Sequence, residues 1–143
     1  MRKTNGDTKV KSHALAHRPK KILLVDNDPV DLLFYRFILE HQGYRVKASS
    51  SFTEAPQMLE KDVFDMVVVD QGGSAFEGRV VVEEAKRIDP HTPVVVMARR
   101  PEPACYVEAM TLGVVDYREK TADGYEFLGV IEAHLGRNCQ PCE

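Results

Sequence analysis

Short apolar runs that stop on charged residues constrain this chain most. Ile22-Leu-Leu-Val25 stops on Asp26, Met66-Val-Val-Val69 on Asp70, and Val114-Val-Asp-Tyr-Arg-Glu119 on Lys120. Such runs, bounded by turn signals, read as buried strands. If the strands are parallel, the three charged ends gather at one edge of one sheet, and ligands bind at that edge in open α/β folds.

From Lys20 onward, strand-like and helix-like segments alternate five times. The first strand is Lys21 to Val25. Asp28-Pro29 then leads into Val30 to His41, where an N-cap and a proline at the first helical position start a helix that Gly43 ends. Tyr44 to Ala48 reads as a short, partly polar edge strand, and Ser51 to Lys61 as a helix with Pro56 in its interior. Phe64 to Asp70 is the third strand and Gly72-Gly73-Ser74 a loop. Arg79 to Ile88 is a helix carrying Val81, Ala85 and Ile88, ended by the breakers Asp89-Pro90-His91-Thr92-Pro93. Pro93 to Ala98 is the fourth strand, Glu102 to Leu112 a helix closed by Gly113, and Val115 to Glu119 the fifth strand. Asp123 to Leu135 is the last helix, with Leu128, Ile131 and Leu135 on one face. Regular βα alternation with short connections implies an α/β protein: a doubly wound, five-stranded parallel sheet with helices on both sides.

At 143 residues the chain has the length of one domain. Its 43% hydrophobic and 29% charged residues are those of an ordinary soluble protein, and no apolar stretch approaches the roughly 20 residues that span a bilayer. The absence of a signal-peptide core and the odd number of cysteines, three, lead us to expect a cytoplasmic protein. The net charge of −3 hides an asymmetry, because residues 1–21 hold seven Lys and Arg against Asp7 alone. Residues 1–19 read as a disordered basic tail without assigned function, 20–136 as the folded unit and 137–143 as a C-terminal tail. Cys139-Gln-Pro-Cys142 has C-x-x-C spacing, but a single pair without a nearby histidine is a weak metal or redox signal. Cys105 reads as packed core.

The segments Leu24-Val-Asp-Asn-Asp-Pro29, Val69-Asp-Gln-Gly-Gly-Ser-Ala-Phe-Glu-Gly78 and Gly113-Val-Val-Asp-Tyr-Arg-Glu-Lys120 resemble the three signature regions of response regulator receiver domains of two-component signalling. The resemblance covers residues 20–136 and implies the flavodoxin-like (βα)5 receiver fold. It implies that Asp70 is a phosphoacceptor, that Lys120 contacts the phosphoryl group, and that Asp26, Asn27, Asp70 and the backbone carbonyl of Gly72 hold Mg²⁺. Gly78, eight residues past Asp70, also fits the pattern. The implied partners are a sensor histidine kinase or histidine phosphotransfer protein and a downstream protein, with neither nucleic acid nor membrane engaged through this domain; a homodimer stays open. The expected activity is phosphoacceptance with self-dephosphorylation allowed, not turnover. The chemistry is coherent: a carboxylate attacks phosphorus only when the phosphoryl charge is neutralised, as a hard cation and an ammonium together would do.

Departures from the family pattern fall at four places. Asn27 stands where a second acidic residue is usual, which should weaken Mg²⁺ binding; Asp28 reads as a helix N-cap rather than its replacement. Ala98 stands at the Thr or Ser switch position and is followed by Arg99, a bulky cation that would restrict water or reach the phosphate. Thr121 replaces the proline after Lys120, leaving the lysine less fixed, and Gly73-Ser74 predicts a looser loop after Asp70. Tyr117 is the counterpart of the switch aromatic, and with Ala98 so small we expect it inward without phosphorylation. Two rival readings follow. One is a phosphate-independent pseudo-receiver that only binds protein. The other is a haloacid-dehalogenase-type phosphatase with Asp26 as nucleophile and Asp28 as general acid, which leaves Asp70 unexplained and lacks a late pair of acidic residues.

Overall fold

The computed structural model describes residues 18–136. Most of the basic tail, and Cys139 and Cys142, therefore lie outside the described residues. Five strands, β1 (Lys21–Val25), β2 (Arg45–Ser49), β3 (Met66–Asp70), β4 (Val94–Ala98) and β5 (Asp116–Glu119), alternate with five helices. The helices are α1 (Pro29–His41), α2 (Ala55–Lys61), α3 (Arg79–Ile88), α4 (Pro103–Thr111) and α5 (Gly124–Leu135). All neighbouring strands are parallel, in the order β2-β1-β3-β4-β5. The expected doubly wound architecture is therefore the one present.

Strand residues alternate between two cores, as the period of two dictates. Leu23, Val25, Val67, Val69, Val94 and Val96 pack under α2, α3 and α4 with Leu59, Val81, Val82 and Ala109. Ile22, Leu24, Met66, Val68, Val95 and Met97 pack against α1 and α5 through Tyr35, Leu39, Phe127 and Ile131. The central strands β3 and β4 are buried throughout, while β2 and β5, the two edges, are partly exposed.

Several boundaries differ from the expected ones. Helix α2 begins at Ala55, not Ser51, because Pro56 sits in its first turn, where a missing N–H costs nothing. Residues 51–54 form a turn instead, with the Ser51 hydroxyl accepting from the Glu54 amide at 3.1 Å. Ile88 is 43% exposed, and Val82 takes its place on the buried face of α3. In α5 the central buried residue is Phe127, its ring 4.4 Å from that of Tyr35, while Leu128 is only partly buried.

In-register pairing aligns the strand ends that carry the chemistry. Val25 pairs with Val69, Asp70 with Met97, and Ala98 with Glu119. Asp26, Asp70 and Lys120 each lie at or just past such an end.

Candidate functional site

Asp26 and Asp70 are 2% and 6% exposed, and the Lys120 ammonium bridges them at 2.8 Å from one oxygen of each. The three residues that the apolar runs pointed to are thus in direct contact. A third carboxylate joins them. Asp31, in the first turn of α1, also accepts from Lys120 Nζ at 2.8 Å.

Local structure explains each placement. Asp28 caps α1 by accepting from the Val30 and Asp31 amides, and Pro29 fixes the helix start, so Asp31 faces the sheet edge two residues on. Asp26 Oδ1 accepts from the Asp28 amide at 3.0 Å, tying the β1 end to the cap. Lys120 is held through its backbone, whose amide donates to the Ala98 carbonyl at 2.8 Å. Beyond it, the Thr121 carbonyl accepts from the Tyr35 hydroxyl at 3.2 Å, and its own hydroxyl accepts from the Asp123 amide. Thr121 therefore anchors the segment, so Lys120 is better fixed than the replacement of the family's proline led us to expect.

The loop after Asp70 is braced rather than loose. The Gly72 amide donates to Asp70 Oδ2 at 3.0 Å, the Gly73 amide to Glu77 Oε1 at 2.6 Å, and the Gly78 amide to the Gln71 carbonyl at 3.0 Å. Gly72 adopts a φ of +86°, which favours glycine. At Gly78 the constraint is contact: a Cβ there would lie 2.1 Å from the Asp70 carbonyl oxygen. The required glycine thus lets the loop close against the backbone of the candidate phosphoacceptor.

Burial pushes the Asp26 carboxyl up to about 6, with Lys120 and the Asp28 amide opposing and the Asp70 charge adding to the rise. For Lys120, burial works against the ammonium, yet hydrogen bonds to Asp26, Asp31 and Asp70 outweigh it and hold the group above the usual lysine range. Burial would likewise raise Asp31, but Lys120 and Arg99 hold it below the usual carboxylate range. Asp26 therefore remains short of counter-charge with Lys120 in contact, the condition that a divalent cation relieves. The donor set fits Mg²⁺, a hard ion that takes oxygen ligands and retains several waters. Among the described residues no three His, Cys, Asp or Glu side chains are arranged to hold a metal unaided. Asp26 and Asp70 would bind it together with the Gly72 carbonyl and water. Asn27 is exposed and takes no part in the contacts joining Asp26, Asp70 and Lys120.

Ala98 is fully buried and offers no side-chain donor. Tyr117 packs partly buried against the core, its hydroxyl donating to Gln71 Oε1 and accepting from the Glu102 amide at 3.0 Å. Its ring thus turns inward, and burial raises its hydroxyl pKa. Gln71, 1% exposed, follows Asp70 and also donates to the Gly73 and Arg100 carbonyls. Cys105 is 2% exposed, as a packed core residue should be.

Asp31 and Gln71 were the contributors that sequence reasoning missed. Asp31 had a usable signal, since an acidic residue in the first turn after the Asp26 loop must face the same edge. Asp28 is occupied as N-cap, which removes the general acid that the dehalogenase-type reading needs.

A family model described as "Response regulator receiver domain" matches residues 22–132. The transcriptional regulatory protein ZraR of Escherichia coli K12 is 29% identical over 121 residues, covering 85% of this chain and 27% of that protein. The chain spans about a quarter of the length of the curated relatives it matches. Among solved structures, a CheY-like receiver domain protein from Methanospirillum hungatei JF-1 superposes with a TM-score of 0.77 at 24% identity, covering 82% of this chain and 94% of the other. A response regulator protein from Burkholderia pseudomallei, solved with a phosphorylated aspartic acid, calcium ion and citrate, gives 0.70 at 23% identity over 81% and 66%.

Proposed function

Because this chain belongs to the response regulator receiver domain family, we propose that residues 20–136 form a phosphoacceptor module in which Asp70 takes a phosphoryl group from a histidine kinase or phosphotransfer protein. The observation that carries this reading is the convergence of Asp26 and Asp70 on the Lys120 ammonium, at 2.8 Å from each. An Asp70 carboxylate oxygen attacks phosphorus, the bond from phosphorus to the donor's imidazole nitrogen breaks, and that nitrogen keeps the electron pair and takes up a proton. Mg²⁺, when bound, neutralises phosphoryl oxygens and screens the carboxylates from one another. Asp26, Asp70 and the Gly72 carbonyl would hold it.

Lys120 binds a developing oxygen charge from a low-dielectric position, where a fixed ammonium acts more strongly than in water. The Gly72 amide fixes the Asp70 carboxylate through one oxygen, leaving the other towards Lys120. The Burkholderia neighbour, solved with a phosphorylated aspartic acid and a calcium ion, supports a receiver fold in this role. The module is a phosphoacceptor that acts through protein contact, self-dephosphorylation being its one hydrolytic step. No helix among the described residues is long and apolar enough to cross a membrane, and we place the module in the cytoplasm with its kinase.

Intact mass after incubation with acetyl phosphate, with and without Mg²⁺, tests this reading. We expect one Mg²⁺-dependent phosphoryl adduct on the parent chain and none on Asp70→Asn. An adduct that persists in that variant would refute it by putting the phosphoryl group on another residue, and none on the parent with acetyl phosphate or a kinase would refute it and leave the pseudo-receiver.

A further inference from the structure

Arg99 directly follows Ala98, the β4 residue whose carbonyl holds the Lys120 backbone. Its guanidinium pairs with Asp31 Oδ2, the oxygen that also accepts from Lys120 Nζ, and lies 3.5 Å from Asp28 Oδ2. Two cations therefore share one carboxylate oxygen, and one of the two already touches Asp70. Arg99, Lys120, Asp31 and Phe34 line an open cavity of about 240 Å³. The Arg99 side chain is 58% exposed, whereas that of Lys120 is 7% exposed.

We propose that Arg99 is a second phosphoryl-binding cation of this site, parked on Asp31 and supplying the donor that Ala98 lacks; this rests on the reading of Asp70 as phosphoacceptor. Phosphoryl transfer replaces the single charge of the Asp70 carboxylate with a dianion carrying three acceptor oxygens. The Arg99–Asp31 pair is exposed on its arginine side and rests on one carboxylate oxygen already shared with Lys120, whereas a phosphoryl dianion offers the guanidinium two oxygens and twice the charge. The dianion thus competes Arg99 away from Asp31 by a pivot of an exposed side chain. Once there, the guanidinium stands across the path of hydrolytic water, whose oxygen must reach phosphorus as the bond to Asp70 breaks and inorganic phosphate leaves. The acyl phosphate is accordingly long-lived.

The test compares the parent, Arg99→Ala and Arg99→Lys in two assays. One is the decay of the acetyl-phosphate-derived adduct by intact mass after the donor is removed. The other is the affinity for beryllofluoride with Mg²⁺, measured by calorimetry. Arg99→Ala should shorten the adduct half-life and weaken beryllofluoride binding by about tenfold each, and Arg99→Lys, a point charge without the fork, should restore only part of either. Parent-like values for Arg99→Ala in both assays overturn the proposal while leaving Asp70 as phosphoacceptor. A parent that neither forms the adduct nor binds beryllofluoride overturns both.

Discussion

Asp26 sits 2% exposed beside Asp70, and its carboxyl is pushed up to about 6 by burial, against an ordinary value of 3.8. A folded-state value above the unfolded one means that Asp26 contributes stability when protonated, fully below pH 4, and loses it as pH rises through 6. A shift of this size corresponds to about 3 kcal/mol. Relative to the parent, Asp26→Asn should therefore gain up to about 3 kcal/mol of stability between pH 4 and pH 7 in chelator. Urea unfolding at both pH values checks it, and a constant difference between the two chains would count against the assignment. Residues at strand ends were readable from the sequence because an apolar run fixes where its terminal charge must go. Asp31 was readable too, from its place in the first turn of α1, but was passed over, whereas Gln71 was not, since its partner lies 46 residues away and only the closed sheet brings them together.

At the scale of elements, the β3–α3 loop connects sequence to chemistry most tightly. Gly78 has a φ of −68°, so any residue suits its backbone, yet a Cβ there would overlap the Asp70 carbonyl. We expect Gly78→Ala to cost about 2 kcal/mol through overpacking and to slow phosphoryl uptake by displacing Asp70. Thermal unfolding and a labelling time course would show this, and parent-like values for both would contradict it. The five strands and five helices were legible because breakers separate runs of distinct period, as Asp89-Pro90 and Pro93 do between α3 and β4. What failed was detail that periodicity does not contain. Pro56 reads equally well inside a helix or at its start, and Phe127 rather than Leu128 faces the sheet because packing against Tyr35 sets the rotation of α5.

Across the whole molecule, a parallel sheet with aligned C-terminal ends concentrates the charges at one edge, and Gln71 links that edge to the surface of α4. Its buried amide joins the residue after Asp70 to Tyr117, whose hydroxyl in turn accepts from the Glu102 amide just before α4. Loss of one such hydrogen bond is worth about 1 kcal/mol, so Tyr117→Phe should raise amide exchange at Glu102 by roughly fivefold to tenfold. Unchanged exchange would mean that Tyr117 does not hold this turn. Borohydride trapping of the acetyl-phosphate-labelled protein, followed by peptide mapping, identifies the residue that takes the phosphoryl group. An acyl phosphate is reduced to an alcohol, so we predict homoserine in place of Asp70 and at no other carboxylate. Reduction at Asp26 with Asp70 intact would exclude Asp70 as the phosphoacceptor.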